Sequence, residues 1–260
     1  MDNEKILYYG DELHDALTRR VMLAPLTERE PGITIEDAYR IQERMVSHRL
    51  DAGESIIGKK VGATSRAVQD LLKVNQPDFG FLLSGMVYGE GEAIPMQRLI
   101  QPFAEGEIAF LLKHDLIGPG ITNVNVLRAT ECVMPCFEIV DSRITDWKIR
   151  IQDTVADNAS CGVLVLGDHA VDPRKVDLGL TGMVIEKNGE IACTGAGAAA
   201  LGHPANAVAW LANTLGRLGI PLKAGEVILS GSLGTLVKIA AGDNLRLSLG
   251  GIGRCSVRFV

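Results

Sequence analysis

The sequence predicts an α+β protein, with a helical N-terminal portion over residues 1–75 and a β-rich body over 76–260 that can count with it as one domain. Helix-spaced apolar residues concentrate between about Tyr9 and Leu50. Beyond about residue 100, short β-type runs are separated by Gly and Asp turns. Alternating strand–helix units are missing, which argues against a doubly wound parallel sheet.

Each element has its own reason. The stretch Gly10–Val21 carries leucines four apart, at Leu13 and Leu17. After a turn at Glu30–Ile33, Thr34 is a good N-cap with Asp37 three residues on. Positions 38, 39, 42, 45 and 46 then mark one helical face, of which Gln42 is the polar member. Ile56–Gly62 reads as a short strand, and Ser65–Val74 as a further helix ending before Gln76-Pro77-Asp78. Strands are expected over Glu107–Leu112, Cys132–Val140, Gly162–Leu166, Thr181–Glu186, Val227–Ser230, Leu245–Leu249 and Ser256–Val260. Asn188-Gly189 is a hairpin turn. One helix interrupts this body, from Pro204 to Leu215, after the Gly202-His203 loop.

Composition narrows the function. With 260 residues and a net charge of −6, the chain lacks the basic stripe of a nucleic-acid binder. No apolar run approaches the ~20 residues that cross a bilayer, so no membrane partner is expected. The start, Met1–Leu7, shows no basic segment leading into an apolar one, and a cytoplasmic location is expected. The five cysteines are odd in number and match no disulfide or zinc spacing. Cys132 and Cys136 read as small buried hydrophobes.

Three glutamates carry the chemistry. Glu105 and Glu107 lie two apart and share a face if their segment is a strand. Glu138 sits in a second apolar run. Carboxylates held in apolar surroundings repel one another and lose hydration, costs that a divalent cation relieves. An all-oxygen ligand set suits Mg²⁺ or Mn²⁺ rather than zinc.

Other candidates have two readings. Lys60 is a solvated surface lysine by default, and near the three glutamates a substrate-carboxylate ligand or proton shuttle. Asp78 is a turn residue or a proton donor at the mouth of a site. Asp157, Asn158 and Ser160 can hydrogen-bond a small anion or satisfy one another in a tight loop. Gly195 and Gly197 only partly match a dinucleotide fingerprint and are better read as close-packing glycines or a pocket lining. His203 reads as a cap or packing residue. No Gly-x-Ser-x-Gly element points to covalent acyl chemistry.

Together, Gly58–Gly62, Gln76–Gly80, Ala104–Ile108, Glu138–Arg143, Asp153–Ser160 and Ala224–Gly231 form an ordered set, followed by Ala241–Asp243 and Gly250–Gly253. This set resembles the hydratase and decarboxylase group of the fumarylacetoacetate hydrolase superfamily, over nearly the whole chain. The resemblance implies a β-rich roll with a helical N-terminal portion, and Mg²⁺ or Mn²⁺ held by Glu105, Glu107 and Glu138. It implies hydration of 2-hydroxypenta-2,4-dienoate to 4-hydroxy-2-oxopentanoate in meta-cleavage degradation of aromatic compounds. Lys60 and Asp78 would transfer protons, and Ser160, Asn158 and Arg143 would bind substrate. The alternative is 4-oxalocrotonate decarboxylation at the same site. A homo-oligomer is implied, with association to the pathway aldolase or decarboxylase. Asp78 and the Asp146-Trp147 pair resemble the hydratase branch. Phe103 departs from the pattern, since relatives often carry a basic residue there, and this bears on substrate charge preference.

Overall fold

The computed structural model describes residues 1–72, 74 and 76–260, without the side chains of residues 67, 71 and 72. Asp2 caps α1 (Asn3–Arg19), accepting from the Lys5 amide at 2.8 Å. A single turn, α2 (Leu26–Arg29), follows Pro25 and was not expected. Thr34 opens α3 (Ile35–Asp51) with a capping box: its hydroxyl accepts from Asp37 N at 3.1 Å, and the Asp37 carboxylate accepts from Thr34 N at 3.2 Å. Gln42, on the buried face of this helix, donates to the carbonyls of Phe79 (2.9 Å) and Val155 (3.0 Å), so it ties the helix to the body.

β1 (Ile56–Gly62) leads to α4 (Arg66–Leu72). The helix expected to run to Val74 and the boundary expected after residue 75 meet positions 73 and 75, which lie outside the described residues. Then come β2 (Asp78–Leu83), β3 (Val87–Gly89), β4 (Ala93–Ile94), β5 (Phe103–Leu112), α5 (Asn123–Ala129) and β6 (Thr130–Val140). The chain continues through α6 (Ile151–Ala156), β7 (Cys161–Leu166), β8 (Gly182–Lys187), β9 (Glu190–Ala196), α7 (Pro204–Gly216), β10 (Val227–Leu229), β11 (Val237–Lys238), β12 (Asn244–Leu249) and β13 (Gly253–Phe259). Every strand expected from the sequence is present within a few residues. Helices α5 and α6 were not expected, being too short to show a helical period.

Among the described residues the strands form two sheets. The larger runs β2-β1-β10-β5-β6-β7-β3, with β11 also paired to β5, and the smaller runs β4-β13-β12-β8-β9. The main core lies where Ile108 and Phe110 of β5 and Phe137 of β6 meet Ile185, Leu247 and Phe259 of the smaller sheet, with α7 beside them. A second apolar cluster joins α1 and α3 to Ile144, Ile151 and Val155. Ile108 and Phe110 are even-numbered, so the odd-numbered residues of β5 face the other way. That leaves Phe103, Glu105 and Glu107 together on the side away from the main core.

Candidate active site

β-Sheet register assembles the glutamates. Glu105 on β5 stands directly opposite Glu138 on β6, and Glu107 follows one pleat along the same face. Ligand oxygens of all three lie within 4.8 Å of one another. The Gly231 amide donates to Glu107 Oε2 at 2.7 Å and so aims that carboxylate. Glu107 Oε1 and both Glu138 oxygens are buried without a hydrogen-bond partner. Unspent lone pairs on buried carboxylates are costly, and here they converge from Glu107 and Glu138 beside the Glu105 carboxylate. An all-oxygen, triply acidic set of this kind fits a hard divalent cation such as Mg²⁺ or Mn²⁺.

The electrostatics agree. Burial, then the charge of Glu138, pushes the Glu105 carboxyl up to about 8. Burial pushes Glu107 well above the usual carboxylate range, with Glu138 and Glu105 adding to it. Without a cation the protonated forms of Glu105 and Glu107 are therefore favoured, and a cation displaces such protons on binding.

Lys60 and Asp78 complete the site. Adjacent lysines on a strand point to opposite faces. Lys59 forms a buried pair with Glu226, at 2.6 and 2.7 Å. Lys60 turns to the glutamates, with Nζ 3.2 Å from Glu138 Oε1. That contact is an ion pair without hydrogen-bond geometry, so the Glu138 oxygens stay unpartnered. Burial lowers the proton affinity of Lys60, but Glu138 and Asp78 together outweigh it and raise it overall. Asp78 is not in a turn. It begins β2, opposite Gly62 of β1. A Cβ at Gly62 would lie 2.1 Å from Asp78 Oδ1, and one at Gly58 would lie 1.8 Å from the Val227 carbonyl oxygen. Both glycines are thus required by close approach. Asp78 Oδ1 is buried and unpartnered. Burial raises the Asp78 pKa, Lys60 opposes this, and Glu138 adds to it.

The 157–160 loop is shaped mostly by its own contacts. Asn158, Ala159 and Ser160 are all left-handed, at φ 52°, 51° and 53°, although none is glycine. Asn158 spends both ends of its amide on the Phe81 backbone: Oδ1 accepts from N at 2.8 Å and Nδ2 donates to O at 2.9 Å. Arg143 is wholly buried and paired through Nε with Asp157 Oδ1. Its Nη1 donates to the carbonyls of Asp141 (2.6 Å) and Cys161 (3.3 Å), and its Nη2 to that of Asp157 (2.6 Å). The substrate-binding roles expected for Arg143 and Asn158 do not fit this geometry, because their polar groups are already engaged internally. Ser160 keeps its hydroxyl 3.0 Å from Thr154 Oγ1, a neutral partner. Burial holds the Asp157 carboxyl up at about 6 against the pull of Arg143. Arg143→Met leaves Asp157 buried without its partner and should cost about 3–5 kcal/mol in denaturant unfolding. A loss under about 1 kcal/mol would show that the pair is dispensable.

His203 caps α7 through Nδ1, which accepts from Ala205 N at 3.1 Å. Gly195 belongs to the β8–β9 hairpin and allows the Leu233 carbonyl close approach, where a Cβ would stand 1.9 Å from its oxygen. These residues serve packing, and the nucleotide reading fails because Gly195 lies in an antiparallel hairpin and not in the first turn of a parallel strand–helix–strand unit. Sequence reasoning gave no role to Gly231, although it closes the Ala224–Gly231 motif just after an expected strand. It also missed Tyr39 of α3, which stacks on Phe79 at 4.3 Å. Burial, then the charge of Asp78, raises the Tyr39 phenol.

Known proteins match this architecture. The fumarylacetoacetate (FAA) hydrolase C-terminal family matches residues 56–260, from β1 to the end of the chain. A 2-hydroxyhexa-2,4-dienoate hydratase of Comamonas testosteroni is 58% identical, over 99% of this chain and 98% of its own. A 2-hydroxypent-2,4-dienoate hydratase of Pseudomonas putida is 64% identical, over 85% of this chain and all of its own. The solved 4-oxalocrotonate decarboxylase of Pseudomonas putida G7, complexed with magnesium and adipate, superposes with a TM-score of 0.97. It is 35% identical and covers 100% of this chain, which covers 99% of it. On the family match, these relatives and the shared fold, the chain belongs to the fumarylacetoacetate hydrolase family.

Proposed function

We propose that this enzyme adds water to 2-hydroxypenta-2,4-dienoate, giving 4-hydroxy-2-oxopentanoate in meta-cleavage degradation of aromatic compounds. The observation that carries the reading is the convergence of three acidic side chains, two of them with unpartnered buried oxygens, beside Lys60 and Asp78. The two hydratase relatives support it.

Glu105, Glu107 and Glu138 would hold Mg²⁺ or Mn²⁺, which when bound supplies Lewis acidity to the 1-carboxylate and 2-oxygen of a 2-oxo acid. The remaining work is proton transfer. Ketonisation removes the enol proton and delivers one to C5; hydration removes one from water at C4 and delivers one to C3. Each half is proton-neutral, so one group can take a proton and return it. Asp78 suits this role, being buried with a free oxygen and a raised pKa. Lys60, kept cationic by Glu138 and Asp78, would donate to the oxygen on which charge develops. Ser160 would hydrogen-bond the substrate carboxylate, while Arg143 and Asn158 would hold the loop that presents it. The same reading includes a cytoplasmic homo-oligomer, with the pathway aldolase or decarboxylase as associates.

The rival is decarboxylation of 4-oxalocrotonate at the same glutamates, favoured by the 35% identical solved neighbour. Chelated enzyme should be inert toward 2-hydroxypenta-2,4-dienoate and recover on addition of Mg²⁺ or Mn²⁺, followed by loss of dienoate absorbance. Full turnover after exhaustive chelation would refute the metal role. Faster CO₂ release from the diacid than hydration of the dienoate would make the decarboxylase the better reading.

A further inference from the structure

We propose that Phe103 and Trp147 form an apolar wall at the mouth of the site, and that this wall selects substrates whose far end is uncharged. The inference rests on the hydratase reading and adds a substrate class to it. Phe103 lies on the same face of β5 as Glu105 and Glu107, one pleat outward, about 7 Å from Glu105 along the strand. Glu107 is buried whereas Glu105 and Phe103 are only half-buried, so the site opens toward Phe103. A substrate whose carboxylate and 2-oxygen sit at the glutamates directs its C5 end along this opening.

The wall is apolar by construction. Phe103 and Trp147 pack edge to face, with centroids 5.6 Å apart. The indole N–H of Trp147 is spent on the Gln101 carbonyl at 2.9 Å, which leaves no donor on the ring. Asp146, exposed beside Trp147, is paired with the exposed Lys148 at 3.4 Å, so the two add no net charge. Asp146 and Trp147 are both left-handed at φ 54°, a costly backbone that holds the indole here. Across from Phe103 on β11, Lys238 is exposed. Its ammonium is solvated and offers a far-end carboxylate only a screened contact. A second carboxylate at the wall would lose water without gaining a fixed partner.

The test compares the Mg²⁺-loaded enzyme on 2-hydroxypenta-2,4-dienoate, its C5-methyl homologue and the diacid 2-hydroxyhexa-2,4-dienedioate. The wild type should handle the methyl homologue within about tenfold of the parent in kcat/KM. The diacid should fall by ~100-fold or more, mainly through KM. Phe103→Leu should raise KM for the methyl homologue more than for the parent, with little change in kcat. Phe103→Arg should shift the diacid-to-monoacid ratio by at least about tenfold toward the diacid. Lys238→Ala should leave that ratio unaltered. Equal wild-type use of diacid and monoacid, or an equal loss on every substrate in the Phe103 variants, overturns the proposal. If no dienoate turns over, the hydratase reading has failed, and the wall is then read by calorimetry with 2-oxohexanoate and 2-oxohexanedioate. A preference for the monoacid that Phe103→Arg reverses upholds the wall, and equal binding overturns it.

Discussion

Glu107→Gln is expected to abolish both divalent-cation binding and turnover. The substitution keeps shape and leaves an amide oxygen for the Gly231 N–H, but removes one of three charges that converge within 4.8 Å. With the cation gone, several kcal/mol of charge stabilisation are lost, and a fall of more than about 10³-fold in kcat/KM follows. The same change should not unfold the cation-free protein. Burial and like charge already push Glu107 far above the ordinary range, so a neutral side chain relieves repulsion there. Calorimetric titration with Mn²⁺ and a melting curve in chelator test both halves. Wild-type Mn²⁺ affinity in the variant would remove Glu107 from the ligand set.

Asp78→Asn should separate chemistry from metal binding. The amide fills the same space opposite Gly62 but cannot accept and return a proton. A loss of about 10²–10⁴-fold in kcat is expected, the usual range for general acid–base help. Mn²⁺ affinity should stay within a few-fold of wild type, because Asp78 lies outside the triad. Loss of cation binding in parallel with kcat would make Asp78 part of the metal site instead. A change in KM alone would give it a binding role only.

Much of this site was legible in the sequence because strand geometry is local. A spacing of two on a strand put Glu105 and Glu107 on one face before any partner was known. Adjacent lysines had to diverge, and the structure sends Lys60 to the glutamates and Lys59 to Glu226. What was not legible depends on contacts between distant parts of the chain. Asn158 engages Phe81, 77 positions away, and no local pattern encodes that pairing. Arg143 looked available because a lone arginine in a motif shows no sign of Asp157, 14 positions on. Asp78 resembled a turn residue because Pro77 precedes it, and only pairing with β1 makes it the first residue of a strand. Residues 158–160 bear no glycine to announce their left-handed backbone.

The paired lysines of β1 carry a hazard of misalignment. Each face of the strand offers one ammonium and an acidic partner, so a slip by one residue would put one lysine in the other's place and leave Gly58 or Val61 where the second lysine belongs. One buried ion pair could then re-form and the other could not, so electrostatics would penalise such a misthreaded copy on one face only. Gly58 and Gly62 reject it. A slip either way brings Ile57 or Lys59 to the place where a Cβ meets the Val227 oxygen at 1.8 Å, and Val61 or Ala63 to the place where it meets Asp78 at 2.1 Å. The two glycines thus act as a proofreading device for alignment, and their larger neighbours make every wrong setting collide.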